Sequence, residues 1–139
     1  MEYFVEHFDR SSGEPDITAT ARALLDRGAR RLQYNLGDEP RVRASLLHAS
    51  ARAYLELGRP SDARPLLDRA LGIWLRQGES ANSERARVFA DLARVHLAEG
   101  RPGIARDLGE RALREISGGT SAPEFEQRVQ TTIAAANIA

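Results

Sequence analysis

The 139-residue sequence contains no cysteine, and all 20 of its basic residues are arginine, so lysine is missing as well. Without cysteine there is no disulfide framework, no thiol nucleophile and no cysteine-ligated zinc. Without lysine there is no phosphate-loop lysine and no Schiff-base amine. Excess charge of either sign is also missing, because 20 Asp and Glu balance the arginines to a formal net charge of +0. Broad binding to nucleic acid or to an anionic membrane normally needs a basic excess. Aromatic residues make up only 6 % of the chain, too few for a base-stacking surface.

Long apolar runs are absent too, and the longest falls far short of the roughly 20 residues of a spanning helix. The first ten residues, from Met1 to Arg10, carry acids where a signal peptide needs positive charge. These features predict a soluble, cytoplasmic protein with no membrane partner. The arginine-, alanine- and leucine-rich usage fits a GC-rich bacterial genome.

What the sequence does hold is a repeat. Aligned at an offset of 42, residues 42–74 and 84–116 agree at fourteen of thirty-three positions without a gap. The identities include Ala51/Ala93, Leu55/Leu97, Gly58/Gly100, Pro60/Pro102, Ala63/Ala105, Leu66/Leu108 and Ala70/Ala112. Each unit reads as two helices. Leu46, Leu47, Ala51, Tyr54 and Leu55 form one apolar stripe, and Ala63, Leu66, Leu67, Ala70, Leu71 and Trp74 form the next. Gly58 supplies a left-handed stop between them, Pro60 marks the restart, and Ser61 or Asp62 is placed to cap the second helix. Small residues at Ala51, Ala63 and Ala70 mark close approaches between helices.

The expected organisation is a single all-α domain over residues 1–139. Residues 1–35 hold an N-terminal helix plus a half repeat, with Met1–Phe8 covering its open face. Residues 42–78 and 82–117 are the two full repeats, and 123–138 a C-terminal half repeat in the same register. No second-type helix follows that last half repeat, so Val129, Ile133, Ala134, Ala135 and Ile138 read as an uncovered face suited to a homodimer.

The spacing Ala51, Tyr54, Gly58, Ala63, Leu67, Ala70 resembles the tetratricopeptide repeat, in the 42-residue variety of kinesin light chains. The stretch from Thr20 to Leu32, with Arg43–Leu71 after it, is similar to repeat arrays that follow bacterial Ser/Thr protein kinase domains. Two positions depart from the pattern: His96 stands where Tyr54 stands in the first unit, and Gly109 where Leu67 stands. Both predict looser packing in the second unit. The resemblance implies a right-handed superhelical solenoid of antiparallel helix pairs, its concave wall lined by the first helix of each pair. It places Ser45, His48, Arg52 and Glu56 on that wall, followed by Arg87, Asp91 and Arg94 from the next unit.

No pattern in the chain carries catalysis. His7, His48 and His96 lack metal-ligand spacing, the serines lack a nucleophile elbow, and Gly118-Gly119-Thr120-Ser121 follows a helix rather than a strand. Neither a metal nor a cofactor is expected. The leading reading is a non-catalytic module that binds a protein or peptide in the concave groove. The alternative is a docking segment related to a Ser/Thr kinase whose catalytic domain lies on another chain. Arg52 and Arg94 share one register, so two parallel guanidiniums suit an acidic partner. Against this stands the reading that Glu56 and Asp91 neutralise both arginines on a solvated face, where such pairs contribute little.

Overall fold

The computed structural model describes residues 17–35, 39–117 and 122–139, and those residues form six α-helices with no strand. They are α1 (Ile17–Asn35), α2 (Pro40–Glu56), α3 (Pro60–Arg76), α4 (Asn82–Ala98), α5 (Pro102–Ile116) and α6 (Pro123–Ile138), with a 3-10 turn over Gly78–Ala81 before α4. The expected Met1–Phe8 helix lies outside the described residues. The chain is an all-α helical repeat, as the 42-residue period requires.

The turn inside each repeat is built twice in the same way. Gly58 and Gly100 take φ of +72° and +79°, a region that side chains with a Cβ rarely enter. Each residue after the glycine then returns its N–H to a carbonyl five residues back: Arg59 to Tyr54 at 2.9 Å and Arg101 to His96 at 2.8 Å. The glycine N–H groups close the inner bond onto Leu55 and Leu97 at 3.0 and 3.2 Å, completing a Schellman ending. The next residues, Pro60 and Pro102, open α3 and α5, where a missing N–H costs nothing.

The expected side-chain cap is not formed. Arg59 is the N-cap of α3, and Ser61 and Asp62 fall inside the first turn. Asp62 there accepts from Arg59 Nε at 2.6 Å and complements the positive end of the helix dipole.

Each helix packs on the next in sequence, and first-type helices also touch one another, α2 on α4 and α4 on α6. No comparable contact joins α3 to α5. The first-type helices therefore crowd onto one side and the second-type helices fan out on the other. The core runs between these layers through Leu47, Ala51, Tyr54, Leu67, Ala70 and Trp74, then Val88, Leu92 and Val95. Ala51, Ala63, Ala93 and Ala105 are fully buried where the backbones converge, so larger side chains there would wedge the pairs apart.

The sixth helix corrects three expectations. Helices α2, α4 and α6 begin at Pro40, Asn82 and Pro123, spacings of 42 and then 41 residues. One residue fewer puts the buried Val129 and Ala136 where Val88 and Val95 lie in α4, so α6 keeps the plan but not the 42-residue register. The apolar face that looked uncovered is largely covered: Val129 joins Phe89 and Ala112, and Ala136 joins Ala93 and Ala105. The face of α6 that α4 turns to its own partner carries exposed Gln127, Gln130 and Ala134, with Ile138 beyond. Nor does Gly109 loosen the second unit. Its missing side chain makes room for Ile133, whose Cγ1 would lie 2.7 Å from a Cβ built at Gly109.

Buried arginine secures the seam between the repeats. Arg85, 8 % exposed, pairs with Glu115 at 3.1 Å and donates to the carbonyls of Trp74 and Gly78 and to the Asn82 side chain. One guanidinium thus fastens the end of α3, the 3-10 turn, α4 and α5.

Candidate functional site: the groove along the first-type helices

A groove of about 880 Å³ runs along the first-type helices and draws on α2, α4 and α6. Six of the seven residues that the sequence placed on a binding wall line it: His48, Arg52 and Glu56 from α2, and Arg87, Asp91 and Arg94 from α4. Ser45 is exposed on α2 but lies outside this lining. Reasoning from the two full repeats missed the contribution of α6, which adds Glu124, Phe125, Arg128, Thr131 and Thr132. The 41-residue step was the hidden signal. It aligns Arg128 with Arg87, Thr131 with Ala90 and Thr132 with Asp91.

Charge is distributed unevenly along the groove. At the α2–α4 seam, Asp91 is buried and its Oδ2 sits 2.6 Å from His48 Nε2. Its other oxygen accepts from Arg94 Nη1 at 3.2 Å, and Arg52 Nε stands 3.9 Å away. Arg94 also lies 3.8 Å from Glu56. Burial pushes the Asp91 carboxyl upward, but the His48 hydrogen bond and the charges of Arg94 and Arg52 outweigh it and hold the group below its usual range. Asp91 is therefore a fixed anion that draws both arginines inward. Of the two readings of Arg52 and Arg94, the structure shows the internal one: both guanidiniums are turned to Asp91, and Arg94 also to Glu56.

At the α4–α6 seam the situation is reversed. Arg87 and Arg128 have no carboxylate partner among the described residues, and Arg128 stacks over Phe125 at 6.0 Å from the ring centre. One turn further along the two helices the lining is Ala90, Thr131 and Thr132, small or neutral side chains.

His96 lies on α4 and is not part of the groove lining. Its Nδ1 accepts from Arg101 Nε at 2.9 Å, which requires a neutral ring with the proton on Nε2. Burial, then the charges of Arg101 and Arg64, lower its pKa from 6.5. In the first unit Tyr54 instead gives its hydroxyl proton to Asp26, and burial with that carboxylate raises its pKa. Among the described residues no group of three or more His, Cys, Asp or Glu side chains is arranged to hold a metal ion, and no helix is long and apolar enough to cross a membrane.

No curated protein and no solved structure matches the chain. The family model of the tetratricopeptide repeat matches residues 42–114, which span both full repeats and more than half of the sequence. Such repeats are non-catalytic modules that generally mediate contacts between proteins. With two helix pairs, their paired glycine turns and the alanine contacts in place, the chain belongs to the tetratricopeptide repeat family.

Proposed function

We propose that the chain is a non-catalytic binding module that takes a segment of a partner protein into the groove of α2, α4 and α6. The observation that carries this reading is the lining itself. Three helices from successive repeats turn polar and charged side chains into one continuous groove, while their apolar faces are used in the core. His48, Arg52, Glu56, Arg87, Asp91 and Arg94 are the contacts on α2 and α4, with Ser45 at the edge. An acidic segment suits four lining arginines set against three lining carboxylates. The same groove serves if the chain acts as a docking segment for a Ser/Thr kinase carried on another chain. Association of two copies through α6 would have to use Ala134 and Ile138, since Val129 and Ala136 are already buried.

The test is affinity capture with the wild-type chain, Thr131→Trp and Arg69→Trp. Thr131 is exposed in the groove, so tryptophan there blocks it, whereas Arg69 is exposed on α3 away from the lining. Partners retained by wild type and Arg69→Trp but lost by Thr131→Trp support the groove. Equal retention by all three forms places the interface elsewhere.

A further inference from the structure

Resting on that groove reading, we infer that recognition is centred on Arg87 and Arg128, and that its object is an extended acidic segment bearing two carboxylates two residues apart. The arginines that the two-repeat pattern singled out cannot supply this contact cheaply. Arg52 and Arg94 already face Asp91, and Arg94 faces Glu56. A ligand carboxylate arriving there meets the buried Asp91 and the exposed Glu56. Arg87 and Arg128 meet no such competition: neither has a carboxylate partner among the described residues, and both open into the groove. They also hold equivalent places on adjacent first-type helices, because Val88 and Val129, the next residues along, are buried in the same way.

Geometry sets the spacing of the ligand. Packed helices stand about 8–10 Å apart. In an extended strand, side chains at i and i+2 share a face and lie about 6.6 Å apart. Arginine side chains can lean over the remaining 2–3 Å or so, and each guanidinium can then take one carboxylate in a two-pronged contact. One turn beyond the two anchors the wall is Ala90 and Thr131, small side chains that leave room for ligand backbone. Glu124, one turn before Arg128 on α6, and Asp91, one turn after Arg87 on α4, bound this stretch with carboxylates and disfavour acids placed beyond the two anchors.

The experiment uses two twelve-residue peptides, identical except that one carries Asp-Leu-Asp at its centre and the other Asn-Leu-Asn. Each is titrated into the 15N-labelled full chain, following backbone amides and arginine Nε–H signals. The Asp peptide should shift the Nε–H signals of Arg87 and Arg128, and bind at least about tenfold more tightly than the Asn peptide. Arg87→Ala and Arg128→Ala should each weaken it about tenfold, while Arg52→Ala/Arg94→Ala changes it less than about threefold. Raising salt from about 0.05 to 0.5 M should weaken the Asp peptide selectively. Binding that shifts Arg52 and Arg94 and is lost in their double variant overturns the anchor but keeps the groove. Equal affinity for the two peptides, binding outside the groove, or no saturable shift with the Asp peptide overturns the inference. The groove reading itself stands or falls separately, on capture blocked by Thr131→Trp.

Discussion

Replacing Gly109 by alanine should destabilise the chain, although the same change at another helical glycine should stabilise it. Alanine is worth about 0.8–1 kcal/mol over glycine in a helix interior. At Gly72, in α3, a new Cβ meets nothing within 4 Å, so Gly72→Ala should gain about 0.5–1 kcal/mol. At Gly109 the new Cβ would stand 2.7 Å from Ile133 Cγ1, 3.3 Å from its Cδ1 and 3.7 Å from Val129 Cγ1. The Cγ1 atom is next to the branch point of a stiff side chain, so relief requires α6 to move away from α5. Overpacking of this kind costs about 1–3 kcal/mol, which exceeds the propensity gain and leaves a net loss of about 1 kcal/mol. Deleting the obstacle should reverse the sign: in an Ile133→Ala background, Gly109→Ala should gain about 0.5–1 kcal/mol. Urea unfolding followed by circular dichroism at unchanged slope gives all four values of the cycle. Gly109→Ala stabilising the chain as much as Gly72→Ala would refute the close contact between α5 and α6.

Three further outcomes follow from the buried charges. Because the folded Asp91 carboxyl titrates below its ordinary 3.8, its contribution is complete above that value and is lost as pH falls through the folded value. Asp91→Asn should flatten the acid limb of the stability curve, and an unchanged limb would show that the His48 and Arg94 contacts do not favour the ionised form. His96 is held neutral below 6.5, so protons bind the unfolded chain more readily and stability should decline as pH falls from about 6.5. His96→Tyr should remove that dependence, and its hydroxyl would face Asp68 as Tyr54 faces Asp26; thermal melts at pH 5.5 and 7.5 check both points. Arg85→Ala should cost about 3 kcal/mol by leaving Glu115 with only the half-exposed Arg111 and the Trp74 and Gly78 carbonyls without their donor, measurable by urea unfolding, and a loss within error would mean that water replaces the guanidinium without penalty.

The repeat plan was legible in the sequence because each of its parts has a local cause. Gly58, Pro60, Gly100 and Pro102 enforce their turns by backbone stereochemistry alone, and Ala51, Ala63, Ala93 and Ala105 declare close helix contacts by size. What the sequence did not disclose lies where three helices meet. Gly109 reads as a defect when only its own repeat is considered, and becomes a socket once Ile133 arrives from twenty-four residues further on. The shift from a 42- to a 41-residue step follows the loop after α5, and it changes which α6 residues face the groove. Asp91 was named as a wall residue, but its hold on His48, Arg52 and Arg94 together depends on the crossing of α2 and α4, which no linear pattern records.

The central claim, that a partner occupies the wall formed by α2, α4 and α6, is tested most directly by site-specific photo-crosslinking. A benzophenone amino acid would replace Arg52 or Thr131 in the groove, or the exposed Arg69 of α3, in chains irradiated with captured partner and mapped by mass spectrometry. The account predicts that one partner segment is crosslinked from Arg52 and Thr131 and not from Arg69. Crosslinks from Arg69 alone, with both groove positions silent, would contradict it.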